Sequence, residues 1–323
     1  MIQTNKASVS LLDMDRSALT QQLKDLGEPS YRSKQIWDAI YLRYATTFTE
    51  ITDIPNSLRK NLENRLQISP IENVMIQTSA DQSTSKCLMK LHDGEVIETV
   101  LMRYDPLGRK QARKTICVSS QAGCAMKCSF CATGTQGYRR QLTSGEMLGQ
   151  IHAMAKLAFQ EGSPITNIVF MGMGEPLANY GELHKTLTRI TDATDMAFSP
   201  RRVTVSTVGI LSGIRKLTLD HPTINLAVSL HAPTDKLRQQ LIPVQTASIS
   251  EIIATVREHI EITKRRVSFE YVLIAGINDL PKHATELATL LRGLRCQVNL
   301  IPLNPVDGVK GKRPSRRRTL AFE

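Results

Sequence analysis

Through the first seventy residues, apolar positions recur every third or fourth residue. Leu19, Leu23 and Leu26 form one stripe, which Gly27 can end. Ile36, Trp37, Ile40, Tyr41 and Tyr44 form a second, and Leu58, Leu62 and Leu66 a third. That spacing predicts amphipathic helices and a helical module over residues 1–70. Arg32, Lys34, Arg59 and Lys60 fall on its polar faces, where solvated surface is the plain reading. From Lys86 the pattern shortens. "KCLMKL", the turn "HDG" and "EVIETVLMRY" predict a β-hairpin, and the basic loop "DPLGRKQARK" follows. Residues 71–114 are thus a hairpin and loop leading into the core. Beyond them strand-like and helix-like segments alternate: "TICVS", a helix opened by Thr143 with Glu146 three residues on, "ITNIVFM", "RVTVST", "INLAVSL", "VSFEYVLI" and "CQVNLIP" with helices between. The Thr143 and Glu146 pair is a capping box. Six strands alternating with helices predict an α/β core over residues 115–323, a parallel sheet with helices packed outside. Six units fall short of a closed eightfold barrel, so a partial (βα)6 barrel is expected.

Charge narrows the partners. Lys and Arg number 41 against 30 for Asp and Glu, a net of +11. An excess of that size suits a polyanion, and nucleic acid is the commonest. No run of about 18 apolar residues suggests a membrane span. The start "MIQTNKASVS" lacks the apolar stretch of a secretion signal. A cytoplasmic protein is expected, in which clustered cysteines read as metal ligands or catalysts rather than disulfides.

Parallel α/β folds carry their chemistry at the carboxyl ends of the strands. Those ends are rich in small polar residues and turns here: "GMGEPL" from Gly172 to Leu177, then Ser206 and Thr207, "SLHAPTD" with Ser229 and His231, "AGIND" with Asn278, and "PLNP" with Asn304. Any one of these is ordinary turn chemistry. Together on one rim they read as a ligand site. The first strand runs into "SSQAGCAMKCSFCATG", which places Cys124, Cys128 and Cys131 within eight residues as C-x3-C-x2-C. Three thiolates on one tight loop can hold three irons of a [4Fe-4S] cluster and leave the fourth iron open. An open iron can chelate the amine and carboxylate of S-adenosylmethionine. A structural zinc site is the competing reading, but it ordinarily takes a second pair of cysteines, and none is placed for it. Cys117, on the strand before the loop, is poorly placed as a fourth ligand.

The cysteine spacing on the first strand of an α/β barrel is similar to the radical-SAM signature. With "GMGEPL", "AVSLHAPTD", "NLIPLNP" and "YRSKQIWDAIY", the chain resembles the RlmN/Cfr family of RNA adenine methyltransferases over nearly its whole length. The resemblance implies a [4Fe-4S] cluster on Cys124, Cys128 and Cys131, and S-adenosylmethionine on Gly174, Glu175, Ser206, Ser229, Leu230, His231 and Asn304. It implies a proton-accepting role for Glu98 and a resolving role for Cys117. It implies 23S rRNA, and tRNA, as substrates, with methylation at C2 of an adenosine as in RlmN. A reductant such as flavodoxin or ferredoxin, a monomeric state and an RNA-binding role for the helical N-terminus complete the expectation. From the residues alone, Glu98 would be surface, and Cys87 and Cys296 packing cysteines.

In that family a methyl-carrying cysteine follows the "RPS" segment, whereas this sequence closes on "RRRTLAFE". The expectation is therefore impaired methylation, with divergent radical chemistry or RNA binding without catalysis as alternatives. The basic run "KGKRPSRRR" near the end could grip phosphate or fray as a tail.

Overall fold

The computed structural model describes residues 9–104, 113–244, 246–306, 308–309 and 311–323. Most of the expected basic loop lies outside these residues. The chain folds into two compact units. One comprises residues 1–119, 142–172 and 181–199, and the other residues 120–141, 173–180 and 200–323.

The first unit begins with β1 (Val9–Ser10), α1 (Arg16–Asp25), α2 (Tyr31–Tyr41), α3 (Asn56–Glu63) and β2 (Leu66–Gln67). Asp15 caps α1 by accepting from the Ala18 amide at 2.8 Å. The helical members of the three apolar stripes are buried as their spacing predicts, whereas Leu26 and Tyr44 fall beyond the helix ends and are half-buried, and Leu66 is buried in β2. Leu19, Leu23, Ile36, Trp37, Ile40, Leu58 and Leu62 are each at most 2% exposed, so these helices are held by core contacts rather than by propensity. Next come β3 (Ile71–Thr78), β4 (Thr84–Leu91), β5 (Val96–Tyr104) and β6 (Arg113–Cys117). β4 and β5 are the expected hairpin, and β3 is an antiparallel addition to its edge.

In the second unit the cysteine segment is bracketed by two short antiparallel strands, β7 (Gln121–Gly123) and β8 (Tyr138–Gln141), with α4 (Ala132–Gln136) between them. The chain returns to the first unit for α5 (Ser144–Gln160), β9 (Asn167–Phe170) and most of α6 (Tyr180–Thr191). α5 starts at the capping box read from the sequence, with Thr143 and Glu146 satisfying each other's amides. Trp37 on α2 donates its indole N–H to Asp195 at 2.6 Å. Arg189 of α6 pairs with the same carboxylate at 3.3 Å and lies over the Trp37 ring. These contacts fix the N-terminal helices to their own unit. The sheet of this unit runs β9-β6-β5-β4-β3, with β6 and β9 parallel.

The rest of the second unit is β10 (Val203–Thr207), α7 (Leu211–Asp220), β11 (Asn225–Ser229), α8 (Asp235–Leu241), α9 (Ile249–Thr263), β12 (Val267–Leu273), α10 (Pro281–Leu290), β13 (Cys296–Pro302) and α11 (Arg316–Phe322). Strands β10 to β13 form a parallel sheet in chain order. Strands β6, β9, β10, β11, β12 and β13 are thus the six that alternate with helices, and the α/β class is as expected. Among the described residues no helix is long and apolar enough to cross a membrane.

Candidate active site

In the second unit the cysteine loop rests on the carboxyl ends of the parallel strands. Val208 follows β10, Ala232 follows β11, Ile274 follows β12 and Leu303 follows β13. They pack with Leu241 and Ile242 into one buried apolar cluster, and Met126, Cys128 and Phe130 of the loop lie against it. The Ser129 amide donates to the Leu241 carbonyl at 2.9 Å, and the Cys131 amide to the Cys128 carbonyl at 3.2 Å. Gly134 sits so close beneath the loop that a Cβ there would come within 2.8 Å of the Cys128 carbonyl oxygen. The loop therefore has a fixed seat on the rim where parallel folds place their chemistry.

Cys124 is buried, Cys128 and Cys131 are half-buried, and all three are free thiols. Burial raises the Cys124 thiol above its ordinary range and pushes Cys128 up to about 12. A metal reverses that preference, because coordination strips the proton from a thiol. Among the described residues no three His, Cys, Asp or Glu side chains are gathered to hold one metal ion. Thiolates that each take a different iron of one cluster stand further apart than ligands of a single ion. Arg238 supplies the counter-charge. It is 3% exposed, and its guanidinium donates to the Val208 carbonyl, to the Ser229 carbonyl at 3.3 Å and to Thr246 at 2.6 Å. Its Nε is buried with no hydrogen-bond partner, and the guanidinium feels the charge of Cys128. Three free thiols beside a buried, incompletely satisfied cation fit an anionic iron–sulfur group.

His231 ties this loop to the strands behind it. Its ring is edge-on to Phe130, with centroids 4.7 Å apart, and Phe130 lies between Cys128 and Cys131. Nδ1 accepts from the Val272 amide at 3.0 Å, and burial pushes the imidazole down to about 3, so the ring is neutral. Asn278 completes the frame. Its amide donates to the carbonyls of His231 at 2.8 Å and Val272 at 2.6 Å, and its oxygen accepts from the Ile274 amide at 2.7 Å.

The other rim residues divide by what they expose. Glu175 is buried, and its carboxylate accepts from the amides of Leu177 at 3.1 Å and Val208 at 2.7 Å. Burial raises that carboxyl to about 7 even so. Its side chain is thus committed to clamping two rim loops. Gly174, at φ +102°, passes so near Gln121 that a Cβ would come within 2.5 Å of the Gln121 side chain. The Glu175 amide donates a hydrogen bond to the side-chain oxygen of this same Gln121 at 2.9 Å. Ser206 and Ser229 bring their hydroxyls to 3.4 Å. Leu230 is fully buried, so it can offer a ligand only its backbone. Asn304 is exposed, just beyond β13. Sequence reasoning missed Gln121, Phe130, Arg238 and the buried Glu270, which pairs in register with Ser229 and Asn299 and accepts from Asn299 at 2.7 Å. The one signal for Glu270 was an acid inside the otherwise apolar "FEYVL".

In the first unit Cys117 ends β6 opposite Val100 of β5. Side chains opposite each other in an antiparallel pair share a face, as do alternate residues of one strand. Glu98 and Cys117 are therefore diagonal neighbours on one face. Glu98 pairs with Lys86 at 2.9 Å, its backbone carbonyl accepts from the Ser119 hydroxyl at 2.6 Å, and burial pushes the Cys117 thiol up to about 11. Cys87 is buried in β4 and Cys296 is half-buried at the start of β13, as packing cysteines would be.

Comparison with known proteins agrees with this architecture. Residues 9–68 match the N-terminal domain model of ribosomal RNA large subunit methyltransferases, and residues 118–288 match the radical SAM superfamily. A ribosomal RNA large subunit methyltransferase N from Nitrosopumilus maritimus is 43% identical, over 93% of this chain and 86% of its own. A dual-specificity RNA methyltransferase RlmN 1 from Myxococcus xanthus is 42% identical, over 98% and 87%. The crystal structure of a radical SAM methyltransferase from Sphaerobacter thermophilus superposes with a TM-score of 0.92 at 44% identity, covering 97% of this chain and 91% of that one. These relatives are named as methyltransferases, in keeping with the activity the resemblance implies. With a cysteine loop seated on a parallel-strand rim and matches at this level over nearly its full length, the chain belongs to the RlmN family of radical-SAM methyltransferases, and it is an enzyme.

Proposed function

We propose that this enzyme methylates C2 of an adenosine in 23S rRNA and in tRNA. The observation that carries the reading is the seat of the Cys124, Cys128 and Cys131 loop on the carboxyl ends of β10 to β13, beside the buried charge of Arg238. In this reading those cysteines hold a [4Fe-4S] cluster. S-adenosylmethionine would be held by Gly174, Glu175, Ser206, Ser229, Leu230, His231 and Asn304. Bound there, the cluster would supply the electron for reductive cleavage of S-adenosylmethionine, radical chemistry that an adenine carbon needs because it is too weak a nucleophile for polar methyl transfer.

The chain's own residues do the rest. The neutral His231 ring and Asn278 hold the loop in register. Glu98 is the proton acceptor, held by its pairing with Lys86 at 2.9 Å. Cys117 is the resolving thiol. Burial keeps it protonated at rest, so it must lose a proton before it can act as a nucleophile. Residues 1–70 act as an RNA-binding accessory domain, residues 71–114 as a hairpin and loop, and residues 115–323 as the core. The target base must leave its stack to be reached, so loops and bulges are the natural substrates. A flavodoxin- or ferredoxin-type reductant, a monomeric state and a cytoplasmic location belong to the same reading.

The test is nucleoside mass spectrometry of 23S rRNA and tRNA from a host lacking its own adenine-C2 methylation. Expression of this chain should produce 2-methyladenosine, and expression of Cys128→Ala should not. Production of 8-methyladenosine instead would overturn the assigned position, and RNA unmodified by a cluster-bearing protein would overturn the reading.

A further inference from the structure

The second unit carries a group of cations at the end of its sheet opposite the cysteine loop. Arg201 and Arg202 immediately precede β10, Lys264, Arg265 and Arg266 precede β12, and Arg295 precedes β13. Because these strands are parallel, their amino ends lie along one edge. Side-chain contacts stitch that edge together. Arg265 donates to the Asn225 oxygen at 2.5 Å, Asn225 donates to the Arg201 carbonyl at 2.8 Å, and Arg295 donates to the Lys264 carbonyl at 2.7 Å. All but the half-buried Arg265 are exposed. None of the six enters an ion pair among the described residues.

Like charges gathered without an ion pair among them work against folding. The strain is visible locally. Burial and the neighbouring Arg201 both lower the Arg265 guanidinium, and its Nε is buried with no hydrogen-bond partner. A polyanion would relieve that crowding. Arginine is the side chain best matched to phosphate, through its planar fork of donors.

We propose that this edge is a second RNA contact, gripping the phosphate backbone of structured RNA beyond the target loop. The inference rests on RNA being the substrate class, and it extends that reading to a surface outside the reaction site. Geometry favours RNA over an acidic redox partner. β12 spans Val267–Leu273, so at about 3.3 Å per residue the edge lies roughly 20 Å from the rim that seats the cysteines. An electron donor must approach the cysteines. A multi-helix RNA can touch both ends, whereas a short stem-loop held at the rim cannot.

The test compares two RNAs: a multi-helix fragment of 23S rRNA and a single stem-loop carrying only the target adenosine. The variant is Arg201→Gln/Arg202→Gln/Arg266→Gln, whose three side chains make no hydrogen bonds or ion pairs among the described residues. An unchanged thermal midpoint establishes that it folds. The slope of log affinity against log salt for the large fragment should become shallower by about 2 to 3, with affinity falling at least about tenfold, while stem-loop binding stays constant. An unchanged slope for the large fragment overturns the proposal and leaves the proposed function standing. Equal loss on both RNAs overturns it as well, because the edge would then act only through diffuse charge. Weakened cluster reduction by an acidic electron-transfer protein, with RNA binding intact, would reassign the edge to that partner. Wild-type protein with no salt-dependent affinity for either RNA would instead defeat the proposed function itself.

Discussion

Replacing His231 with alanine should cost stability and cluster retention together, because one ring serves both. The ring is 5% exposed, accepts the Val272 amide at 3.0 Å and meets the Phe130 ring at 4.7 Å. Alanine leaves a buried amide without a partner, which costs about 1–3 kcal/mol. It also removes an aromatic pair worth about 0.5–1.5 kcal/mol beyond its burial. The backbone conformation adds to the loss in the same direction, since φ at this position is +59°, which histidine tolerates better than alanine. His231→Ala should thus lose about 2–4 kcal/mol in urea denaturation of the iron-free protein, before any cavity term. Phe130→Leu, which removes only the ring pair, should lose about 1 kcal/mol. Both variants free the stretch between Cys128 and Cys131. After anaerobic reconstitution, both should hold less iron and sulfide per chain and bleach faster under a chelator than wild type. Wild-type stability and cluster lifetime in His231→Ala would refute the reasoning. Destabilisation with normal cluster lifetime in both variants would show that the ring contact does not govern the loop.

Gly134→Ala should fold with its N-terminal helices intact yet fail to retain iron, because the new methyl must push on the Cys128 backbone 2.8 Å away; iron analysis equal to wild type would contradict this. Glu175→Ala orphans the amides of Leu177 and Val208 and should destabilise by about 2–6 kcal/mol, with Glu175→Gln intermediate, as read from denaturation midpoints. Acid should weaken the fold through three buried histidines. Burial lowers His152 and His259 from 6.5 to about 4 and His231 to about 3, so below pH 6.5 the unfolded chain takes protons that the folded chain refuses. Their stability contribution is complete above that pH and is lost as pH falls toward 4 and below. The three together give a slope approaching about 4 kcal/mol per pH unit near pH 5, and His259→Gln should remove about a third of it.

Much of this architecture is written in local patterns. The 3.6-residue stripes of the N-terminal helices, the β4 and β5 hairpin, the Thr143 and Glu146 box and the six strands of the alternating core follow from short-range chemistry. The cysteine spacing pointed to the loop, and the strand ends to the rim. What escaped the sequence is long-range or too short to show a period. β7 and β8 have three and four residues, below the length at which alternation is visible. β3 turns Val74, Met75 and Ile76 to solvent, so its apolar residues mark no core face. The Phe130 and His231 contact, the Arg238 clamp and the bond from Trp37 to Asp195 join residues far apart in sequence, through chemistry any polar or aromatic pair could supply. Glu175 was legible as a rim residue, but not its commitment to two backbone amides, which only the folded loops reveal.

The central claim is that Cys124, Cys128 and Cys131 hold a cluster that drives methylation of RNA. Its most direct test is one anaerobic reaction of the reconstituted protein with S-adenosylmethionine, a reductant and a 23S rRNA fragment, followed by mass spectrometry for 5′-deoxyadenosine and methyladenine. The account predicts both products from wild type and neither from Cys128→Ala. Cleavage that survives Cys128→Ala, or cluster-bearing wild-type protein that yields neither product, would contradict it.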